Sequence, residues 1–219
     1  LLVSHDGKGL VVDPHTPDLP QLDALLSELG GITPEVAVAS HYHFDHCDGV
    51  PKLQARHGLK AMFHEKVAEP LLNVRDLRVA WPKVDDYHFE DFLAGDEVCW
   101  QWREYLFKIA HWPGQTWYHS LYQTQVDGHT IAFAGDSFQP NSLWNGTGGY
   151  CAYNHSHFID GFARSAALIR QWRPDVVASG HGAFYRFSDA KFAKIECWAY
   201  ETEALLKSIC PSGNLMADY

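Results

Sequence analysis

The chain has 219 residues, enough for one good-sized domain, and no Pro/Ser/Gly-rich tract or charge block divides it. Hydrophobic residues make up 46% and charged residues 20%, a mix that excludes a disordered or fibrous class. The formal net charge of −10 counts against a nucleic-acid partner, because binding to phosphate backbones needs clustered Lys and Arg.

The longest apolar stretches, such as Ile131 to Ala134, fall far short of the ~20 residues that cross a bilayer, so no membrane partner is expected. The five cysteines (Cys47, Cys99, Cys151, Cys197 and Cys210) are odd in number and form no CxxC pair, which excludes a disulfide scaffold or a zinc ribbon. Oligomeric state is not legible, and the cytoplasm is the working expectation for the compartment.

In chain order, LLVS and LVVD flank a turn at Asp6-Gly7-Lys8-Gly9 and read as a hairpin. Asp18 is placed to cap a helix with Leu22, Leu25, Leu26 and Leu29 on one face, ended by Gly30 and Gly31. The buried strand EVAVAS then runs directly into His41. A short helix is predicted from Gly49 to His57 and a strand from Leu59 to Phe63. Residues 68–96 have weak periodicity, and their aromatics Trp81, Tyr87, Phe89 and Phe92 are read as packing rather than as a lid.

Strands near Val98–Trp102 and Tyr105–Ala110 lead to the loop HWPGQTWYH. A hairpin of SLYQTQ and TIAFAGD follows, with Asp127-Gly128 at its tip. Helical spacing at Phe162, Ala166 and Ile169, the strand DVVASG, and a last helix from about Ser188 to Leu206 complete the chain. Strands and helices alternate in two similar successions, each with a buried strand emptying into a loop rich in ligand-type residues. The pattern predicts an α+β fold with two sheets face to face, helices outside and a site at one edge.

His41, His43, Asp45 and His46 stand within six residues, immediately after an apolar strand. Imidazole and carboxylate are natural ligands of zinc and similar ions, and a bend can turn such closely spaced side chains toward two adjacent centres. Asp136 and His181 each end a later buried strand beside a glycine, where the backbone can approach closely. Taken singly, either is more often an ordinary polar residue; with the first cluster they complete a cage.

HYHFDH, PGQT, FAGD and SGHG, in this order, resemble the successive motifs of the metallo-β-lactamase superfamily over nearly the whole chain. The resemblance implies an αββα sandwich in a single domain over residues 1–219, without the strand that usually precedes LLVS, as in a fragment of a longer protein. It also implies two divalent ions, zinc first and iron or manganese as alternatives. His41 and His43 would lie on the first ion, Asp45 and His46 on the second, with Asp136 bridging and His181 completing the second site.

Relatives such as glyoxalase II have PGHT where this chain has Gln115, and an amide oxygen is a poor zinc ligand beside imidazole. Counting outward from the hairpin tip puts His119 about opposite Asp136, and cross-strand Cβ atoms lie ~5 Å apart. His119 therefore ranks first for the missing place on the first ion. His111 ranks second, because HWP resembles the flavodiiron proteins, and a water or Gln115 ranks third. Cys47 is read as a small packing residue.

The expected reaction is hydrolysis of a small-molecule ester, lactone, thioester or β-lactam by hydroxide generated between two ions ~3.5–4 Å apart, with Asp45 as the catalytic carboxylate. The loop after Asp136 has no Lys or Arg but carries Trp144, Tyr150, Tyr153, His155 and His157, a rim suited to an uncharged or ring-containing substrate. Asn145 and Asn154 are weaker candidates for binding a substrate carbonyl. Two other readings remain: a diiron redox protein, opposed by His43 where flavodiiron proteins have Glu, and a catalytically silent metal-binding module.

Overall fold

A computed structural model of the chain describes residues 1–72, 87–138, 158, 160–214 and 217. The first sheet contains β1 (Leu2–Val3), β2 (Lys8–Val12), β3 (Thr33–Val38) and β4 (Lys60–Ala61), in that spatial order. The second contains β5 (Glu97–Trp102), β6 (Tyr105–His111), β7 (Ser120–Val126), β8 (His129–Gly135), β9 (Val176–Ser179) and β10 (Tyr185–Arg186), in the order β10-β9-β8-β7-β6-β5. The helices are α1 (Leu19–Glu28), α2 (Phe44–Cys47), α3 (Val50–His57), α4 (Glu65–Leu72), α5 (Phe162–Trp172) and α6 (Asp189–Ile209).

Alternation along single strands explains the layering. In β3 and just after it, Val36 and Val38 face one way and Ala37 and Ala39 the other, and all four are buried. Val36 and Val38 join Leu10, Phe107, Ile109 and Tyr122 in the core between the sheets. Ala37 and Ala39 pack instead with Leu19 of α1 and Val50 and Leu53 of α3. On the far side, Ala132, Ala134 and Val177 meet Phe162, Ala166 and Ile169 of α5 and Phe192 and Ile195 of α6. Three apolar layers separate four structural ones, which is the αββα sandwich expected from the sequence.

Topology gathers the loops at one edge. Strand β2 pairs parallel with β3, β3 with β4, and β8 with β9. In open α/β sheets the carboxyl ends of parallel strands are where ligands bind. Asp13 follows β2, His41 follows β3, Asp136 follows β8 and His181 follows β9. The two sheets are tied there by an antiparallel bridge between His41 and His119, and the Ser120 N–H donates to the Ser40 carbonyl at 2.7 Å.

The hairpin turns between Val126 and His129 as expected, with Asp127 and Gly128 both at positive φ, the conformation of a type I′ turn. Four local expectations need correction. Asp18 makes no side-chain cap bond and instead lies 3.5 Å from His15 Nδ1. Leu25 and Leu29 are exposed, so α1 buries a narrower stripe of Leu19, Leu22 and Leu26. Of the strand expected over Leu59–Phe63, only Lys60 and Ala61 pair. Helix α4, for which no element was expected, begins at Glu65, ahead of the weakly periodic residues 68–96, and ends inside them; it is short and carries Pro70.

Tyr87, Phe89 and Phe92 pack against the core beside Phe63, in line with the packing reading. Trp81, Asn145, Asn154 and the aromatic and histidine residues Trp144, Tyr150, Tyr153, His155 and His157 lie outside the described residues.

Candidate metal centre

Three elements bring the first cluster together. The chain leaves β3 at Val38, and His41 is fully buried. His43 stands at the N-terminus of α2 and puts its Nδ1 3.0 Å from His41 Nε2. Helix α2 then turns Asp45 and His46 toward the same edge.

The later residues close on them. Asp136 Oδ1 lies 3.3 Å from His46 Nε2, while its Oδ2 lies 3.4 Å from His181 Nε2 and 3.9 Å from His41 Nε2. Asp45 Oδ2 lies 3.2 Å from His181 Nε2 and 3.7 Å from His46 Nε2. Two donor sets have all their ligand atoms within 4.8 Å of one another: His41 with His46 and Asp136, and Asp45 with His46 and His181. The Asp136 carboxylate thus reaches toward both groups.

Two glycines make this approach possible. A Cβ on Gly180 would stand 2.5 Å from His46 Cε1 and 2.6 Å from Asp136 Oδ1. One on Gly135 would stand 2.2 Å from Ser40 Oγ and 2.8 Å from His119 Nε2. Such separations are inside van der Waals contact, so each position has to be glycine for the ring beside it to keep its place.

A carboxylate that the sequence reading passed over fixes two imidazoles. Asp13 accepts hydrogen bonds from the Ser40 N–H at 2.6 Å, the Ser40 hydroxyl at 2.7 Å and His46 Nδ1 at 3.1 Å. With its own proton spent on Asp13, the Ser40 hydroxyl accepts from His41 Nδ1 at 3.0 Å. Both rings therefore direct Nδ1 at the Asp13–Ser40 pair and turn Nε2 toward the centre, the arrangement usual around metal-binding histidines. The signal was available: VVDP, like FAGD and VVASGH, is a buried strand ending in a ligand-type residue.

Charge distribution points the same way. Burial holds His41 well below the usual histidine value, and the neighbouring histidines push in the same direction. Burial likewise takes His119 down to about 3 against the pull of Asp136. His46 moves oppositely: burial works against its charge, but hydrogen bonds and charge from Asp13 and Asp136 raise it to about 10. Burial also opposes ionisation of Asp136, yet His46 and the other imidazoles hold it below the ordinary carboxylate range. His41, His43, His46 and His181 bring ring nitrogens into one small volume beside two carboxylates, a donor set suited to a divalent cation, which would take the place of the extra proton on His46.

His119 strengthens the fit. It is fully buried and stacks on His41 with ring centroids 4.9 Å apart, yet neither of its ring nitrogens has a hydrogen-bond partner among the described residues. The adjacent Ser120 N–H is already given to Ser40. A buried imidazole unsatisfied at both nitrogens is costly unless something else binds it.

Residues 1–181 match the model of the metallo-β-lactamase superfamily. The chain belongs to that superfamily. Among curated proteins it is 29% identical over 195 residues to a hydroxyacylglutathione hydrolase of Xylella fastidiosa strain 9a5c, covering 88% of this chain. The chain spans 61% of the length of that relative. Among solved structures it is similar to the metallo-β-lactamase MIM-1 from Novosphingobium pentaromativorans, with a TM-score of 0.70 and 16% identity over 93% of this chain and 81% of the other. It is also similar to a metallo-β-lactamase of Cronobacter sakazakii, with a TM-score of 0.67 and 18% identity over 96% and 87%. These two likenesses show the superfamily fold.

Of the two competitors for the place of His119, Gln115 also lies at the cage edge, through Asp136, whereas His111 is bonded to the 112–119 loop. Gln115 donates from Nε2 to Asp136 Oδ2 at 3.1 Å, and its N–H donates to Ser137 Oγ. His111 points its Nε2–H at the Trp117 carbonyl, 2.8 Å away, and its Nδ1 at Arg164. Cys47 is fully buried and shares its one thiol hydrogen between the Tyr42 and His43 carbonyls, which pins the turn between the histidines; burial pushes its thiol up, away from nucleophilic use.

Proposed function

We propose that this chain is a dinuclear metal hydrolase acting on a small, uncharged ester, lactone, thioester or lactam. The observation that carries the reading is the convergence of His41, His43, Asp45, His46, Asp136 and His181 at one edge, with His119 buried against His41 and otherwise unsatisfied. His41, His43 and His119 would hold one ion, Asp45, His46 and His181 the other, with Asp136 between them. Divalent cations bound there, zinc first and iron or manganese as alternatives, supply Lewis-acid polarisation and make water acidic near neutral pH.

The chain's own groups do the remainder. Asp45 is partly open to solvent while its Oδ2 faces His181, so it can orient an entering water and accept its proton. Asp13 and Ser40 keep the His46 and His41 rings from turning, so no reorganisation is needed as charge develops. Gln115 Nε2 holds one oxygen of Asp136 and limits its rotation.

Large exposed aromatics occur in the loops that carry the cage. Phe44 lies between His43 and Asp45 and is 44% exposed, and Phe184 follows His181 by three residues and is 66% exposed. Trp117 packs on the exposed Phe158 with centroids 4.7 Å apart. Residues 40–48, 112–119 and 180–184 contain no Lys or Arg. Such a rim favours an apolar acyl or ring substituent over a polyanion. Thioester and lactam bonds are retained because the relatives named above are a hydroxyacylglutathione hydrolase and metallo-β-lactamases. The diiron redox alternative rested on His111, whose ring is committed to Trp117 and Arg164.

The test is metal content of the purified chain together with a hydrolysis screen over lactones, thioesters, β-lactams and phosphodiesters, with and without chelator. Chelator-sensitive turnover of an uncharged carbonyl substrate is expected. Full metal occupancy without turnover would instead make the chain a silent binding module, and preference for a phosphodiester would overturn the substrate class.

A further inference from the structure

The loop joining β6 to β7, residues 112–119, delivers both Gln115 and His119, yet it contains no regular structure of its own. Two ties close it. The Trp112 N–H donates to the His119 carbonyl at 2.8 Å, and His111 Nε2–H donates to the Trp117 carbonyl at 2.8 Å. His111 is the last residue of β6, so its ring reaches across the loop from a fixed strand to the residue two before His119.

The ring is itself held on every side. Arg164 of α5 approaches Nδ1 at 3.4 Å, Trp117 stands edge-on at 4.7 Å, and His64 stacks at 5.9 Å between centroids. His64 is anchored in turn, its Nε2–H donating to the Gly95 carbonyl and its Nδ1 accepting from the Lys66 N–H. The next residue along, Trp112, donates its indole N–H to the Ser165 carbonyl, so α5 grips both ends of the β6 terminus. Burial keeps His111 neutral, with a value of about 4, and only a neutral ring donates at one nitrogen while accepting at the other.

We propose that His111 is a positioning residue: it braces the 112–119 loop between β6 and α5 and so presets the His119 imidazole toward the cage. This rests on the assignment of His119 to a metal in the functional reading above. It gives His111 a task that neither a metal ligand nor a generic core histidine has. Removing the ring leaves every proposed ligand in the chain but frees the Trp117 carbonyl, so that the Trp112 N–H bond alone of the two ties still closes the loop. A cleft of about 890 Å³, lined by His111, Trp117 and Arg164, would then admit water to that carbonyl.

The experiment is a chelator-competition titration of metal-free protein with Zn2+, paired with the visible spectrum of the Co2+-loaded form. Loss of such an outer support typically weakens a metal site about 10- to 100-fold, and His111→Leu is expected to do so for the ion assigned to His41, His43 and His119 and to change the Co2+ bands. His111→Gln, whose amide N–H reaches where Nε2–H stood, should restore most of the lost affinity. Ile109→Val, in the same strand but away from the loop, should lower the melting temperature and leave affinity and spectrum alone.

Wild-type affinity and spectrum in His111→Leu would overturn the proposal, as would an equal loss of affinity in Ile109→Val or no recovery in His111→Gln. If His111→Leu does not fold, His111→Asn, too short to reach Trp117, is read in its place. A wild-type chain that binds no divalent ion would refute the functional reading as well; wild-type binding with an unaffected His111→Leu would refute the brace alone.

Discussion

Replacing Gly180 by alanine tests the geometry of the cage with a single methyl group. Gly180 is not among the residues at positive φ, so alanine is compatible with its backbone and the perturbation is purely one of contact. The added carbon would lie 2.5 Å from His46 Cε1 and 2.6 Å from Asp136 Oδ1, with the Gly135 carbonyl carbon at 3.2 Å behind. Carbon atoms settle at about 3.5–4.0 Å, so the His46 ring must retreat by roughly 1 Å. His46 is buried and tethered through Nδ1 to Asp13, which leaves it little freedom to do so.

Overpacking of this kind costs about 1–3 kcal/mol, and ligand distances tolerate only about 0.2 Å of error. If the strain appears in the metal-loaded state, it corresponds to a fall in affinity of roughly 5- to 150-fold at 1.4 kcal/mol per tenfold. The assay is competition against a chelator of known affinity, with thermal melts of the metal-free proteins as the reference. Gly180→Ala protein that takes up two equivalents of metal with unchanged affinity would refute the placement of His46 and Asp136 around a common centre.

Asp136→Ala should lose bound metal and any hydrolytic activity together, and unchanged metal stoichiometry would exclude a bridging role. Asp13→Asn keeps the size of the side chain but presents an amide where three donors converge; metal affinity should drop about 10- to 100-fold, measured by the same titration, with the cage residues untouched. Stability of the metal-free chain should also depend on His111. Its folded value lies near 4 against an ordinary 6.5, so the neutral ring's contribution is complete above pH 6.5 and is lost as pH falls toward 4. The full shift corresponds to about 3 kcal/mol, and urea midpoints at pH 7 and pH 4.5 should fall less in His111→Gln than in wild type.

The sequence by itself determined the architecture and most of the candidate cage, because both follow from local pattern. Buried strands ending in His41, Asp136 and His181 are visible as apolar runs that stop at a ligand-type residue, and the Asp127-Gly128 turn sets the hairpin register without tertiary information. Burial of α1 was legible only in part, since whether Leu25 and Leu29 are covered depends on what lies above them.

Tertiary structure alone decided the rest. Asp13 is 33 residues from His46 and 27 from Ser40, and only the parallel pairing of β2 with β3 brings its carboxylate to both. For His111 and His119 the hairpin register gave an order but no ring directions. The direction of one ring toward a backbone carbonyl and the stacking of the other on His41 distinguish them. Hydrogen-bond partners are properties of position in space, and residue type specifies them only after the chain has closed.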